Sequence, residues 1–262
     1  MKIIVCIKQV PDTTEVRLDP KTNTLMRDGV PSIINPDDKA GLEAALRLKD
    51  QVGGTVTVLS MGPGQAEDAL REALAMGCDE AILLSDRAFG GADTWATSLT
   101  LSAALKKMDY DLIITGRQAI DGDTAQVGPQ IAEHLGIPQI SYAREISVED
   151  DKIVVKREFE DRCHILEAPM PCLVTALAEL AEPRYMTVAG IVAAYAKKID
   201  IWTLSAIEDQ VDVAELGLKG SPTRVKKSFT KQAKGQGEIK DGLSADAAAD
   251  EIFAALRGRH LI

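Results

Sequence analysis

"DLIITGRQAIDGDTAQVGPQIAEHLG", residues 111–136, runs from an apolar segment through a turn rich in glycine and aspartate into a helical pattern. Its opening run is continuous rather than alternating, which suits a strand buried on both faces. "IIVCI" (3–7), "TVTVLS" (55–60) and "AILLS" (81–85) have the same character. Helical patterns separate them. "DDKAGLEAALRLKD" places Leu42, Ala45, Leu46 and Lys49 at helical spacing. "QAEDALREALAMG" makes a stripe of Ala66, Ala69, Leu70, Ala73 and Leu74 that stops at Gly77, where a helix end favours left-handed geometry. "TWATSLTLSAALKKMD" gives a third helix and "DTAQVGPQIAEHLG" a fourth, with Pro129 kinking it or starting its regular part. Strand and helix in alternation predict an α/β fold, a doubly wound parallel sheet with right-handed crossovers. Ligands bind such sheets beyond the carboxyl ends of the strands.

The pattern changes after residue 138. "KIVVKREF" (152–159) alternates and can pair with "CHILEA" (163–168) across "EDR" as an antiparallel hairpin, and "PCLVTA" (171–176) is a further strand. The insertion 11–34, after the first strand, has turn chemistry without helical period and is expected as a loop or small hairpin. Beyond Pro183 regularity is lost until "SADAAADEIFAALRGR", a terminal helix capped by Ser244. So long an irregular segment is unusual inside a lone globule, and an arm lying on another subunit explains it better. The expected divisions are an α/β domain over 1–183, an arm over 184–242 and a C-terminal helix over 243–262.

With 262 residues, 45% hydrophobic and 27% charged, the chain reads as a globular protein whose core rests on aliphatic side chains, since aromatics are only 4%. No apolar run approaches the ~20 residues of a membrane helix. "MKIIVCIKQV" reads as a first strand rather than a signal peptide, so cytoplasmic residence without membrane insertion is the expectation. A net charge of −10 argues against nucleic-acid binding. Lys219, Arg224, Lys226, Lys227, Lys231 and Lys234 nonetheless form a basic run, either a solvated tail or a contact surface for an acidic partner. Cys6, Cys78, Cys163 and Cys172 show no C-x-x-C spacing and are expected as reduced, structural thiols. Cys163 and His164 are strand neighbours that point to opposite faces, and the three histidines are scattered, so no metal site is expected.

Both common phosphate fingerprints, G-x-x-x-x-G-K-[ST] and G-x-G-x-x-G, are missing. "MGPGQAE" (61–67) is either a close-approach loop or a plain turn. The turn at 116–129 leads into a helix, whose free amides and dipole suit an anion. Asp121 and Asp123 stand against this, because they would repel a diphosphate. Asp123 with Gln126 also reads as a capping box; alternatively, the aspartates contact ribose hydroxyls or face away. "SDRAFGGADT" (85–94) adds Arg87, a Gly90-Gly91 pair and Asp93, which either caps the next helix or contributes to a site. Three glycine-bearing loops at one sheet edge favour a nucleotide over three unrelated turns.

"VCIKQVPDT", "INPDDKAGLEAALRLK", "MGPGQAEDALREALAMGCDEA", "GRQAIDGDTAQVGPQIAEHLG" and "EPRYMTVAGIV" occur in that order, and together they resemble the β subunit of electron-transfer flavoproteins. The resemblance covers nearly the whole chain and weakens after about residue 205. It implies a heterodimer with an α subunit, a nucleotide-binding domain of adenine-nucleotide type and an extended C-terminal arm that wraps the partner. By position it implies nucleotide contacts from Cys6, from Asn35, Pro36, Asp37 and Asp38, and from Met61 and Gly62. The turn would supply Gly116, Arg117, Gln118, Ala119, Asp121, Gly122, Asp123, Thr124, Ala125, Gln126, Val127 and Gly128.

In the family's respiratory branch the β nucleotide is AMP, and the single flavin lies mainly on the α subunit. This chain has Gly122 and Ala125 where that branch carries bulkier residues. Its "SDRAFGGADT" loop, with Arg87, Phe89, Gly90, Asp93 and Thr94, resembles the anaerobic, electron-bifurcating branch. There the β site holds FAD and takes a hydride from NADH. One electron goes to ferredoxin or flavodoxin, the other through the α-subunit FAD to an acyl-CoA dehydrogenase. Such chemistry needs no catalytic acid–base pair or nucleophile from the protein; Lys8, Arg87 and the loop amides are candidate tuners. "EPRYMTVAGIVAAYAKK" resembles the family's recognition arm, with Val188 at the place of an anchoring leucine. Ile191 and Val192 follow at helical spacing to complete an apolar face. The alternatives are a turn packed on the chain's own α subunit, a respiratory-type AMP-binding subunit, and a non-redox adenine-nucleotide-binding module. The long arm argues against the last.

Overall fold

A computed structural model describes residues 1–12, 31–226, 235 and 237–262. In chain order the strands and helices are Lys2–Cys6 (β1), Gln9–Pro11 (β2), Ser32–Ile34 (β3), Pro36–Val52 (α1), Thr55–Met61 (β4), Glu67–Met76 (α2), Glu80–Leu84 (β5), Thr94–Leu105 (α3), Leu112–Gly116 (β6) and Val127–Leu135 (α4). There follow Gln139–Glu149 (β7), Lys152–Glu158 (β8), Cys163–Pro169 (β9), Cys172–Ala176 (β10), Val188–Ala196 (α5), Asp200–Trp202 (β11), Gly217–Gly220 (α6) and Ala245–Gly258 (α7).

The continuous apolar runs become the middle of a nine-stranded sheet ordered β11-β5-β4-β1-β6-β10-β7-β8-β9. Alternate residues of each run serve opposite faces. Ile3, Val5, Val56, Val58 and Ile114 pack under α1 and α2, with Leu42, Leu46, Leu70 and Leu74. Ile4, Leu59, Ile82 and Ile113 pack under α3 and α4, with Leu101, Leu105 and Ile131. From β1 the chain steps outward through β4 to β5, then returns to place β6 on the other side of β1. The winding therefore reverses between β1 and β6, and the loops leaving their carboxyl ends diverge to open a crevice.

The helices begin and end where local chemistry dictates. Pro36 opens α1 with Asp37 and Asp38 in its first turn and Lys49 in its last, matching the helix dipole. Asp93 caps α3 through the Ala96 N–H, Thr187 caps α5 through the Gly190 N–H, and Ser244 caps α7 through the Ala247 N–H.

The expected hairpin is present as β8 and β9, but it belongs to a longer meander. β7 runs parallel to β10 as far as Ala143, and Tyr142, with φ 60°, turns it out of that register to pair antiparallel with β8. Of the 11–34 insertion only the ends are described, paired antiparallel as β2 and β3; residues 13–30 lie outside the described residues. Lys227, Lys231 and Lys234 of the basic run lie outside them too.

Residues 184–225 carry more order than their composition predicts. α5 packs against α2, and β11 adds to the sheet edge beside β5. The chain parts into compact units at Val225/Lys226 rather than at the expected 183/184. Two arginines fasten this segment. Buried Glu43 accepts from the Arg184 backbone N–H at 3.1 Å and its Nε at 2.9 Å, and from Arg47 Nε at 2.8 Å. Arg71 donates to the carbonyls of Ala194 and Lys197, closing the far end of α5. The second unit is described by α7, with Lys240 bridging to Glu251 at 2.6 Å.

Burial alone would raise the Glu43 pKa, but hydrogen bonds from Arg184 and Arg47 outweigh it and hold the carboxyl below its ordinary value. A depressed carboxyl stabilises the fold above its unfolded pKa and loses that contribution as pH falls. Arg184→Ala should therefore lower the unfolding free energy by about 1–2 kcal/mol at neutral pH. The deficit should shrink when urea titrations are repeated below the ordinary glutamate range. A deficit independent of pH would assign Arg184 a packing role instead.

Candidate nucleotide site at the sheet switch point

The crevice between β1 and β6 is built around one carboxylate. Asp38, in the first turn of α1, accepts from the Lys8 N–H at 2.7 Å and from the Gly116 N–H at 2.9 Å. It thus joins the two strand ends that the topology drives apart. Burial pushes its pKa up to about 7, against the pull of hydrogen bonds from Lys8, Asn35 and Gly116. Gly116 has to be glycine, because a Cβ there would lie 2.1 Å from Asp38 Oδ1. Cys6, the last residue of β1, is buried beside this carboxylate, and burial raises its thiol to about 12, so it is an inert wall rather than a nucleophile.

Asn35 fixes the loop that follows β6. Fully buried, it donates from Nδ2 to the Gln118 carbonyl at 2.8 Å and accepts the Ile120 N–H at 3.0 Å. Beyond it, Ala119 O receives the N–H groups of Gly122 and Asp123. Asp123 and Ala125 both take φ 53°, which few non-glycine residues adopt. Backbone strain of this kind persists where surroundings over-determine it and concentrates at ligand sites. The exposed crest at Gly122 has open space around it, with no atom within 4 Å of an added Cβ. At the far end, Gly128 lets α4 start hard against the sheet, since a Cβ would meet Thr115 Oγ1 at 2.6 Å and Thr175 Cγ2 at 2.8 Å. The first N–H groups of α4, from Val127 and Gly128, have no intrahelical acceptor and suit an anion.

The charges are arranged in pairs. Lys8 Nζ reaches both oxygens of Asp121, at 2.6 and 2.8 Å. Arg117 Nε stands 3.4 Å from Asp37 Oδ2, yet neither buried atom has a hydrogen-bond partner. Burial raises the Asp37 pKa, with Arg117 acting against it. The capping box expected from Asp123 and Gln126 does not form. Asp123 bonds the Gln118 amide, α4 has no side-chain cap, and Gln126 Oε1 accepts from the Thr94 hydroxyl at 2.8 Å. The reason is geometric: the left-handed turn at Asp123 and Ala125 carries the aspartate away from the helix start. The Thr94 contact joins the loop before α3 to the loop before α4.

The sequence-predicted residues therefore fall into groups. Cys6, Asn35, Asp37, Asp38, Gly116, Arg117, Gln118, Ala119 and Asp121 surround the switch point, with Pro36 opening α1 beside them. Gly122, Asp123, Thr124, Ala125, Gln126, Val127 and Gly128 form its crest. Met61 and Gly62 line a neighbouring small cavity with Lys8, Gln9, Pro63 and Ala66. In the loop after β5, Arg87 is exposed, whereas Phe89 is buried in the core and Gly90 O accepts from the Leu218 N–H. Asp93 caps α3 and also accepts from the Thr223 N–H and hydroxyl, while its own N–H donates to Ser221 Oγ. Ser221 and Thr223 carried no sequence signal, because their partner lies 128 and 130 residues away. On α5, Val188 and Val192 are exposed, Ile191 less so, with Tyr185 and Tyr195 beside them. Among the described residues no cluster of His, Cys, Asp or Glu could hold a metal ion, and no helix is long and apolar enough to cross a membrane.

Residues 22–207 match the model of the electron transfer flavoprotein domain. Over the full length of both chains, the protein is 58% identical to "Electron transfer flavoprotein subunit beta" of Clostridium acetobutylicum. The chain belongs to the electron transfer flavoprotein family as a β subunit. Two further relatives also align over their full length. These are the "Caffeyl-CoA reductase-Etf complex subunit CarD" of Acetobacterium woodii, 53% identical, and the "Acryloyl-CoA reductase electron transfer subunit gamma" of Anaerotignum propionicum, 47% identical. Membership in this electron transfer flavoprotein family brings an α-subunit partner and an association with flavin or AMP.

Asp38 makes the site of this electron transfer flavoprotein subunit sensitive to pH. Its folded pKa, about 7, lies above the ordinary aspartate value. The stability it contributes is thus complete below the ordinary aspartate range and is lost as pH rises towards 7. Asp38→Asn removes that titration. The variant's urea midpoint should fall less than the wild type's between pH 5 and pH 7.5, and parallel profiles would show that Asp38 does not titrate in this window.

Proposed function

We propose that the chain holds FAD at the β1/β6 switch point and serves as the NADH-oxidising subunit of an electron-bifurcating α/β flavoprotein. The complex would take a hydride from NADH, send one electron to ferredoxin or flavodoxin, and send the other through the α-subunit flavin to an acyl-CoA dehydrogenase. The observation that carries this reading is the prepared crevice, in which Asn35 and Asp38 shape a strained loop whose crest is unobstructed at Gly122. The ion pair of Asp37 and Arg117 adds charged groups beside the crevice whose facing atoms, Oδ2 and Nε, make no hydrogen bond. Support for the redox class and for an acceptor acting on CoA thioesters comes from one relative named as a subunit of a caffeyl-CoA reductase-Etf complex and another named as an acryloyl-CoA reductase electron transfer subunit. Flavin supplies hydride and single-electron chemistry when bound. The residues of this chain hold it, orient it and exclude water. Asn35, Asp37, Asp38, Met61, Gly62 and the 116–128 loop would do the holding, and Arg87 would lie at the accessible margin. The described part of the arm expected over 184–242 would lie against partner subunits, and cytoplasmic residence accords with these partners.

Cofactor extraction from the purified α/β complex tests the proposal. Two FAD per heterodimer are expected. One FAD plus AMP would favour a single-flavin shuttle instead, and a colourless complex would favour a non-redox nucleotide module. Gly122→Leu should expel the β-site FAD and spare the α-subunit flavin, and retention of both would remove this turn from the site.

Val188 offers a second test. Its side chain is 79% exposed on α5, fastened at both ends by Arg184 and Arg71. We assign this face, with Ile191 and Val192, to dehydrogenase docking. Burying one valine is worth roughly 1.5–3 kcal/mol, about tenfold to a hundredfold in affinity. Val188→Asp should weaken electron delivery to the dehydrogenase by that factor, with NADH-dependent flavin reduction by stopped flow unchanged. Joint loss of both would place Val188 in the subunit's own assembly.

A further inference from the structure

The loop raises an electrostatic problem of its own. Asp121 sits within a segment whose helix-starting amides suit an anion, and its side chain is only 8% exposed, so water screens it poorly. The other carboxylates at this end are disposed of differently. Asp38 is buried under two backbone amides, Asp37 faces Arg117, and Asp123 is exposed and bonded to a neutral amide.

Asp121 alone is met by a full positive charge at two points, from Lys8 Nζ at 2.6 and 2.8 Å. The lysine is itself held in place. Its N–H donates to Asp38, and its carbonyl accepts the Asn35 N–H at 2.9 Å. The two residues that shape the crevice thus also fix where this ammonium stands.

We propose that Lys8 is a specificity-determining residue that sets the charge of the nucleotide loop. By neutralising Asp121, it allows a phosphate-bearing ligand to occupy a loop that would otherwise repel it. The proposal rests on the nucleotide reading given above and assigns Lys8 a role in phosphate tolerance rather than in recognition of the base or sugar.

Calorimetric titration of adenosine, AMP and ADP into the α/β complex freed of its β-site ligand provides the test. Lys8→Met keeps the aliphatic stem and removes the charge. It should leave adenosine affinity within twofold and weaken AMP more, and it should weaken ADP most, by roughly tenfold relative to adenosine. Lys8→Arg should remain close to wild type. Lys8→Met combined with Asp121→Asn should recover most of the ADP affinity, since no unpaired carboxylate remains. An equal loss for all three ligands would mean that Lys8 merely props the loop, and it would overturn the proposal. So would an unchanged ADP affinity or a failure of Asp121→Asn to rescue. Wild-type complex that binds none of the three would overturn the nucleotide reading itself, and this inference with it. A graded loss is the supporting outcome.

Discussion

The buried carboxylate of Asp38 is the constraint on which the site depends. A doubly wound sheet must reverse its winding somewhere, and there the chain leaves two adjacent strands in opposite directions. Backbone amides at such a point lose their ladder partners, and buried amides need acceptors. Asp38 supplies both from one side chain, taking the N–H of Lys8 and that of Gly116. The cost is a carboxyl taken out of water, seen in a pKa raised to about 7. Glycine at 116 follows from the same contact, as does the fixed position of Lys8.

From this staple the rest of the crevice is built outward by side-chain-to-backbone bonds. Asn35 holds Gln118 and Ile120, Lys8 holds Asp121, and Thr94 holds Gln126. Loops from separate strands thereby become one surface. The loop after β5 takes a different role. It gives the chain beyond α6 a place to attach, through Asp93 to Ser221 and Thr223. An electron-transfer protein must place its cofactor rigidly and still present a docking face. Here the docking candidate, α5, is presented from the same scaffold by Arg184 on Glu43 and by Arg71 on two carbonyls.

Much of the sheet was legible because its strands are locally redundant. Continuous runs such as "LII" and "IIVC" have no charged or strongly polar residue to hide, so burial on both faces is written into them. The crevice was legible as a position and not as a geometry. Asp121 and Asp123 looked equivalent in sequence, two positions apart and both at odds with a phosphate. In the fold one is paired with a lysine 113 residues distant, and the other is solvated at a left-handed φ. β11 left no trace, because three residues, Asp200–Trp202, are too few for a period to register. Tyr142 gave no warning that β7 would leave one register for another, since a positive φ at a tyrosine is imposed by its surroundings.

By itself, the sequence determined the alternation of buried strand and amphipathic helix, the cap at Ser244, and the glycine-bearing turns at one sheet edge. All of these depend on residues within a few positions of one another, where propensity and periodicity act. Only the tertiary structure decided which charges meet, that Asp38 bridges two strand ends, that Arg184 finds Glu43, and that 184–225 packs on its own chain. These pairings join residues tens to more than a hundred positions apart. Their energies depend on burial and dielectric surroundings, which the chain acquires only on folding.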